Sequence, residues 1–434
     1  MSAFRKSLCS ASKLLERFEV LRRTNLKLDS TAQMSRTYIA STTNTVMRVR
    51  QKNCMKYFSR GLQTGTTAEE SLRAGKFINL NKVDDEMTFR NAYKYCRRFL
   101  GGSWARCSPE QFTVEALSGG MTNYLYLCSL DKKIEREPGE PRKVLIRIYG
   151  SIVDQKHIYK LLSEHGNGPR IFSTFPTGQI EEFYPHRTLF RQEMGLPDIS
   201  RLIARRTAEF HNMDIAVDST PSFLWDSIEK YLHACCGINF EGGSDNAMLW
   251  DSLKAEMCFE TEYAWLRELL LSLSSPVVFC HNDLHGGNML FIDERNKGGD
   301  TDIILIDFDY SSYNYRAFDI ANHFCEWTFE YTLGGRDDDG FLHHPNNFPT
   351  REQQRVFANE YIAVLGDKQQ QQQQQQLCAE RLLIEVDHFV LASHFLWTMW
   401  SVVQAQESNI EFAYLKYARV RLHQYSKKKR ELGL

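Results

Sequence analysis

Hydrophobic and polar positions give the chain three textures. Residues 1 to about 80 differ from the rest, and within them only Lys13–Arg23 reads as an amphipathic helix. From Glu86 the pattern becomes regular, and Glu86–Leu100 reads as the helix that opens the folded part. Phe112–Leu117, Asn123–Ser129 and Val144–Tyr149 alternate or are rich in β-formers, with Gly or charge clusters between them, which predicts an antiparallel meander. Residues 154–165 read as a helix and Ile180–Tyr184 as a further short strand. From about residue 195 the texture turns helical. Leu196-Pro197-Asp198 puts Pro and Asp in the first turn of a helix over Ile199–Met213. Val277–Cys280 and Thr301–Asp307 are short apolar strands flanking a Gly-rich loop, and Arg381–Ala405 predicts a long helix. The fold class is α+β: a small antiparallel β lobe over 84–185, then a larger, mainly helical lobe over 186–434. The cleft between them is the expected ligand site.

Composition narrows the class without changing that picture. The 434 residues suffice for one two-lobed enzyme with extra tails. A formal net charge of −1 offers no general field for nucleic acid or an anionic membrane, so neither is an expected partner. The 11 cysteines form no CxxC pair and no zinc spacing, which fits free thiols in a reducing cytosol. No apolar run reaches the roughly 18 residues of a membrane span.

Met1–Thr67 holds thirteen Lys/Arg against three acids, Glu16, Glu19 and Asp29. A disordered basic tail in a cytoplasmic protein is one reading. A mitochondrial transit peptide, with processing near Tyr57-Phe58-Ser59-Arg60-Gly61, is the other. Gln369–Gln376 is a compositional insertion expected to form an exposed loop, and Lys427–Arg430 reads as a solvated helix end.

Candidate chemistry is densest in Cys280-His281-Asn282-Asp283-Leu284-His285-Gly286-Gly287-Asn288, followed by Ile306-Asp307-Phe308-Asp309. Phosphoryl transfer needs a carboxylate to take or orient the acceptor's hydroxyl proton. It also needs oxygen ligands for the Mg²⁺ that bridges the nucleotide phosphates. An Asp, an amide five residues on, and a second Asp at the end of the next strand meet those needs. Asp283 is the candidate base, and Asn288 and Asp307 are the candidate metal ligands. Taken singly, each also reads as a cap of a polar turn. The joint pattern, with an apolar strand between, points to a kinase.

The β lobe is expected to hold the phosphates. Ser118-Gly119-Gly120-Met121-Thr122-Asn123 lies between two strands, where glycines let backbone N–H groups approach an anion. A plain hairpin would look similar. Val144–Tyr149 carries one cation, Arg147, inside an apolar strand, and a buried charge there needs a partner. Nucleotide phosphates are one candidate, and a local acid pairing with a sheet-edge arginine is the other.

From about residue 84 onward the chain resembles the choline/ethanolamine kinase family, choline kinases most closely. The resemblance rests on Ser-Gly-Gly-Met-Thr-Asn (118–123), Val-Leu-Ile-Arg-Ile-Tyr-Gly (144–150), Cys-His-Asn-Asp-x₄-Asn (280–288) and the long block Ile306 to Trp327. It extends to Ala392-Ser-His-Phe-Leu-Trp-x-x-Trp400. It implies a two-lobed fold like that of protein kinases and aminoglycoside phosphotransferases, MgATP as cosubstrate, and the first step towards phosphatidylcholine. It makes Asp283 the base and Asn288 and Asp307 the Mg²⁺ ligands. It places Arg147 and the Ser118–Asn123 loop on the phosphates, and Glu182, Phe183 and Tyr184 at the adenine hinge. A homodimer is also implied. The chain departs from the pattern in three ways. The stretch from Gly150 to Gly168, which includes the helix supporting the phosphate-binding cation, is short, with Glu164 as the candidate supporting carboxylate. His285, counted with the nucleotide contacts, stands where glutamine is common. The glutamine tract and basic N-terminus are additions.

A quaternary ammonium donates no conventional hydrogen bond, so its recognition uses aromatic faces and a nearby carboxylate. Trp397 and Trp400 share a helix face. The resemblance places them around the amino-alcohol with Phe412, Tyr417, Tyr310, Glu326 and Tyr331; periodicity alone would read an aromatic stripe as core. The expected acceptor is choline, with ethanolamine as a further or rival substrate. A catalytically silent kinase-fold scaffold is the reading from another class. A protein kinase fits poorly, because Asp309 replaces the DFG glycine and no A-P-E follows.

Overall fold

A computed structural model of the chain describes residues 85–117, 123–149, 156–184, 187–293, 301–332, 339–369, 378–408 and 410–434. They belong to one compact unit, Leu80–Leu434. The basic tail, the loop Ser118–Thr122 and Gln370–Gln376 lie outside the described residues, as does the Lys13–Arg23 helix expectation.

The small lobe begins with α1 (Asp85–Leu100) and α2 (Gly102–Arg106), followed by β1 (Phe112–Leu117), β2 (Asn123–Leu130) and β3 (Lys143–Tyr149). Helix α3 (Lys156–Glu164) then leads to β4 (Ile171–Phe175) and β5 (Gly178–Glu182). The five strands form one sheet in the order β1-β2-β3-β5-β4, antiparallel throughout. The meander is as the alternation predicts; β4 is an addition, and β5 starts two residues before the expected strand. Apolar residues of α1 and of the covered sheet face bury together, with Tyr95 stacked on Phe175 at 4.5 Å between centroids. Gly178 allows the tight β3–β5 approach, because a Cβ there would lie 2.1 Å from the Arg147 carbonyl oxygen.

The large lobe starts with β6 (Arg187–Thr188), which joins β8 (Met289–Asp293) and β9 (Thr301–Leu305) in a three-stranded sheet. Before β8 come α4 (Pro197–His211), α5 (Ser222–Cys235), α6 (Asp245–Glu256), α7 (Phe259–Ser272) and β7 (Val277–Cys280). Strand β10 (Ser312–Tyr315) pairs with β7, and α8 (Arg316–Glu326) follows it directly. The hairpin β11 (Phe329–Tyr331) and β12 (Phe341–His343) precedes α9 (Arg351–Gln369), α10 (Ala379–Glu407) and α11 (Tyr414–Glu431). Pro197 opens α4 with Asp198 in its first turn, where proline's missing N–H does no harm and the helix dipole favours an acid.

Helix α10 is long and apolar enough to cross a membrane, but its length is buried inside the lobe, packed by α8, α11 and α5. A helix apolar on all sides is what a central core helix needs.

Candidate active site

The first carboxylate is fixed by a loop that is itself braced from below. Asp283 follows β7, and the loop between them takes its shape from Asp319 on α8. The two Asp319 carboxylate oxygens accept the backbone N–H groups of His281 (2.7 Å) and Asn282 (2.8 Å). His211 of α4 donates to Asp319 at 2.9 Å, and its other ring nitrogen meets the Tyr361 hydroxyl at 2.8 Å. Burial alone would raise the Asp319 carboxyl, but His211 and the loop N–H groups hold it below the ordinary range. Asn282 has φ +67°, uncommon for a side chain with a Cβ. It is pinned by hydrogen bonds to the Tyr310 carbonyl and from Asn314, both 2.8 Å.

His211, Cys280 and Asp319 bring ligand-type atoms within 4.8 Å of one another. Their polar atoms are already engaged, and burial keeps the Cys280 thiol protonated. The trio is a brace.

His281 ties this loop to the second carboxylate. Its Nε2–H donates to the Ile306 carbonyl at 2.9 Å, while Nδ1 faces the Asp283 N–H at 3.3 Å. Burial pushes the ring below its usual pKa, which suits this neutral tautomer. Gly286 is needed where the loop turns past β6, because a Cβ would sit 2.7 Å from the Leu189 carbonyl oxygen. Asn288 closes the turn, donating its Nδ2 to the Asp283 carbonyl (3.0 Å) and carboxylate (3.1 Å).

The three residues of the kinase pattern therefore meet. Asp283, Asn288 and Asp307 line one cavity of about 640 Å³. Burial raises the Asp283 carboxyl above its ordinary pKa, with Glu326 adding to the rise and His285 and Asn288 opposing it. Burial and the neighbouring Asp309 raise Asp307, and Arg147 offsets part of this. His285 lies on the base side of the cavity, its Nε2 3.7 Å from Asp283 and its ring 5.8 Å from that of Tyr331.

Every substrate candidate lines the same cavity: Tyr310, Glu326, Tyr331, Trp397, Trp400, Phe412 and Tyr417. Trp397 and Trp400 cross nearly at right angles 5.3 Å apart, and Tyr310 meets Trp397 edge-on at 5.7 Å. Trp397 is oriented by its Nε1–H, which donates to Asn322 at 2.8 Å. Glu326 is partnered by Arg421 of α11, which is fully buried and bonds to Oε1, while the Tyr331 hydroxyl donates to Oε2 at 2.8 Å. Arg421 also lies over the Phe329 ring, 4.1 Å from its centroid, and bonds to the Tyr417 hydroxyl. The charge of Glu326 is thus cancelled from within the protein. Only the spacing Tyr417-x₃-Arg421 on one helix face hinted at this.

The β-lobe residues stand differently. Arg147 sits on a central strand, and its buried partner is Glu181 of β5, with Nη2–Oε1 2.9 Å and Nε–Oε2 3.2 Å. Arg147 pairs across the sheet with Gln179, so Glu181, two residues on, projects from the same face. Two sequence readings are corrected here. The arginine is not at a sheet edge, and Glu164 does not support it. Glu164 is exposed at the end of α3, 3.8 Å from Lys160, because the helix turns that face to solvent. Glu182, Phe183 and Tyr184 end β5 and lead to β6, and the Tyr184 hydroxyl donates to Glu182 at 2.9 Å. Neither they nor Arg147 line the cavity that holds Asp283. Ser118, Gly119, Gly120, Met121 and Thr122 lie outside the described residues, and Asn123 begins β2.

Sequence reasoning missed three residues with clear jobs: Glu181, Arg421 and Tyr159. Tyr159 of α3 places its hydroxyl 2.9 Å from Asp309 Oδ1.

Comparison with known proteins gives one answer. The profile described as choline/ethanolamine kinase matches residues 114–426. Choline/ethanolamine kinase of Rattus norvegicus is 40% identical over 357 residues, covering 79% of this chain and 87% of the relative. Choline kinase alpha of Mus musculus is 38% identical over 375 residues, covering 80% and 82%. The crystal structure of choline kinase from Cryptosporidium parvum superposes with a TM-score of 0.64 at 24% identity, covering 79% of this chain and 96% of that one. That likeness shows the two-lobed kinase-like fold. With the profile spanning most of the chain and relatives at 40% identity, this protein belongs to the choline/ethanolamine kinase family.

Proposed function

We propose that the protein transfers the γ-phosphate of ATP to the hydroxyl of choline, making phosphocholine, the first step towards phosphatidylcholine, and that it also accepts ethanolamine. One observation carries this reading. A raised carboxylate, Asp283, and a box of aromatic faces share a single cavity. An acceptor with its hydroxyl at Asp283 would share that cavity with the rings of Trp397, Trp400, Tyr310 and Phe412.

Asp283 takes the acceptor's proton as the new O–P bond forms. Its raised pKa brings it closer to the working pH, where a general base is most effective. The metal is proposed to be Mg²⁺. The donor set fits a hard cation: Asn288 spends its amide N–H groups on Asp283, so its oxygen is the atom it offers, and Asp307 adds a carboxylate. Once bound, such an ion neutralises charge on the nucleotide phosphates. Arg147 keeps Nη1 to offer a phosphate after Glu181 has engaged its other two nitrogens. Glu182–Tyr184, at the crossing between lobes, are proposed to meet the adenine, and Ser118–Asn123 the phosphates.

Choline is favoured over ethanolamine because Glu326 is already neutralised by Arg421. The remaining attraction for a cation comes from ring faces, which serve a group without N–H donors as well as one with them. The test is kcat/KM for both amino-alcohols with MgATP, on the full chain and on Trp400→Ala. Choline should be turned over more efficiently. Trp400→Ala should raise its KM about 3- to 30-fold, the scale of one cation–π contact, and raise that of ethanolamine less. Equal effects on both would remove the aromatic argument, and no phosphocholine at all would favour the silent scaffold.

A further inference from the structure

Helix α3 was expected to bring a carboxylate to Arg147. That place is filled by Glu181, and the helix delivers Tyr159 instead. The Tyr159 side chain is buried where the sheet of the small lobe meets the turn after β9. Its ring packs edge-on against Phe308 at 5.5 Å between centroids, and the Arg147 guanidinium lies over its face at 5.2 Å. Its hydroxyl touches all three residues of the turn. It lies 2.9 Å from Asp309 Oδ1 and 3.4 Å from Asp307 Oδ1, and it accepts the Phe308 backbone N–H at 3.2 Å.

The turn needs such a clamp. Asp307 has φ +63°, a left-handed conformation that costs a residue with a Cβ roughly 1 kcal/mol or more. One hydroxyl holds the turn from both sides. As acceptor it fixes the N–H that follows Asp307. As donor it engages the Asp309 carboxylate, which leaves the Asp307 carboxylate for a cation. The ring meanwhile joins this turn to Arg147, the strand cation of the other lobe.

We propose that Tyr159 is a positioning residue of the metal-binding turn, holding Asp307 in its left-handed conformation and coupling that turn to Arg147. The inference rests on the reading of Asp307 as a metal ligand. The competing view is that Tyr159 is an ordinary packing residue between α3 and Phe308, and Tyr159→Phe separates the two because it keeps the ring and removes only the hydroxyl.

The full-length Tyr159→Phe protein is compared with wild type in two ways. Phosphocholine production is followed at saturating choline and ATP while free Mg²⁺ is varied. Mn²⁺ binding in the presence of ADP is followed by electron paramagnetic resonance at 10 °C, where a lowered melting temperature does not interfere. Loss of an outer-shell partner of a metal ligand weakens metal binding about 10- to 100-fold. The half-saturating Mg²⁺ and the Mn²⁺ dissociation constant should both rise by at least about tenfold. KM for choline should stay within about twofold, since Tyr159 does not line the cavity of the aromatic box, and excess Mg²⁺ should restore much of the rate. Metal dependence within twofold of wild type by both readouts would overturn the proposal, whether or not the variant melts earlier. Asp307→Asn serves as the control on the underlying reading: should it also leave Mn²⁺ binding unchanged, the ligand assignment fails and not merely the role of Tyr159.

Discussion

Asp283 is placed where a proton acceptor works best and where a carboxylate is least comfortable. Burial raises its pKa, so the folded state holds the proton more tightly than the unfolded chain does. A carboxyl whose folded pKa is raised contributes fully to stability below its unfolded value, about 3.9. That contribution is lost as pH rises through the folded value, so at neutral pH the ionised group works against folding. Asp283→Asn removes the charge and keeps an oxygen for the Asn288 amide. It should lower kcat by roughly 10²- to 10⁴-fold while raising Tm at pH 7.5, with the advantage over wild type vanishing near pH 4. Thermal unfolding at the two pH values checks the sign, and a variant that melts earlier at pH 7.5 would show that the carboxylate is stabilised by contacts outweighing its burial. The role of Asp283 was legible in the sequence because its partner Asn288 lies five residues away. Its pKa was not, because the groups that set it, Glu326 and the walls of the cavity, are distant in the chain.

At the scale of elements, α8 is the support under the catalytic loop. It buries every residue from Arg316 to Glu326, yet these include Arg316, Asp319, His323 and Glu326. Each has a partner elsewhere. Arg316 meets Glu385 of α10 at 2.9 Å, Asp319 meets His211 and the loop, and Glu326 meets Arg421. Burial lowers His323 to about 4, so it stays neutral and accepts the Trp327 Nε1–H at 3.1 Å. Local periodicity marks α10 as a long helix and β1, β3 and β7 as strands, because apolar spacing is a local signal. It does not mark α8 as a brace, since a buried polar network is defined by partners on other elements.

Asp319→Asn tests that brace. Leaving a buried donor without its acceptor costs about 1–3 kcal/mol, and His211 with the His281 and Asn282 N–H groups would share one oxygen in place of two. Stability and kcat should both fall. Asp319 is held below its ordinary pKa, so its contribution is present above the unfolded value and lost as pH falls through the folded one. The Tm gap between wild type and variant should therefore be constant from about pH 8 to 5 and narrow only below about pH 4. A gap that already closes at pH 6 would show that the Asp319 carboxylate is not what separates the two proteins.

At the scale of the whole molecule, the site draws on a helix far along the chain. Every described residue of the site belongs to the unit Leu80–Leu434, and the family profile spans 114–426. Helix α11 packs along α10 and supplies Tyr417 to the cavity and Arg421 to Glu326, a pair 95 residues apart in sequence. Its Lys428 reaches Asp387 at 2.6 Å, which anchors the basic run that reads from sequence as a merely solvated helix end. Without α11, Glu326 would be left as an uncompensated carboxylate inside α8, and a buried charge stripped of its partner is among the strongest single destabilisations, about 3–5 kcal/mol before any loss of apolar contact. A chain beginning at Leu80 should keep kcat/KM for choline within about twofold of the full protein, whereas one ending before Tyr414 should fail to fold or melt far earlier. The decisive case is Arg421→Met, which removes the charge and leaves the helix. If it reproduces most of the instability of the truncation, the Glu326–Arg421 pair is what fastens α11 to the site. If it melts like wild type, the helix is held by its apolar face.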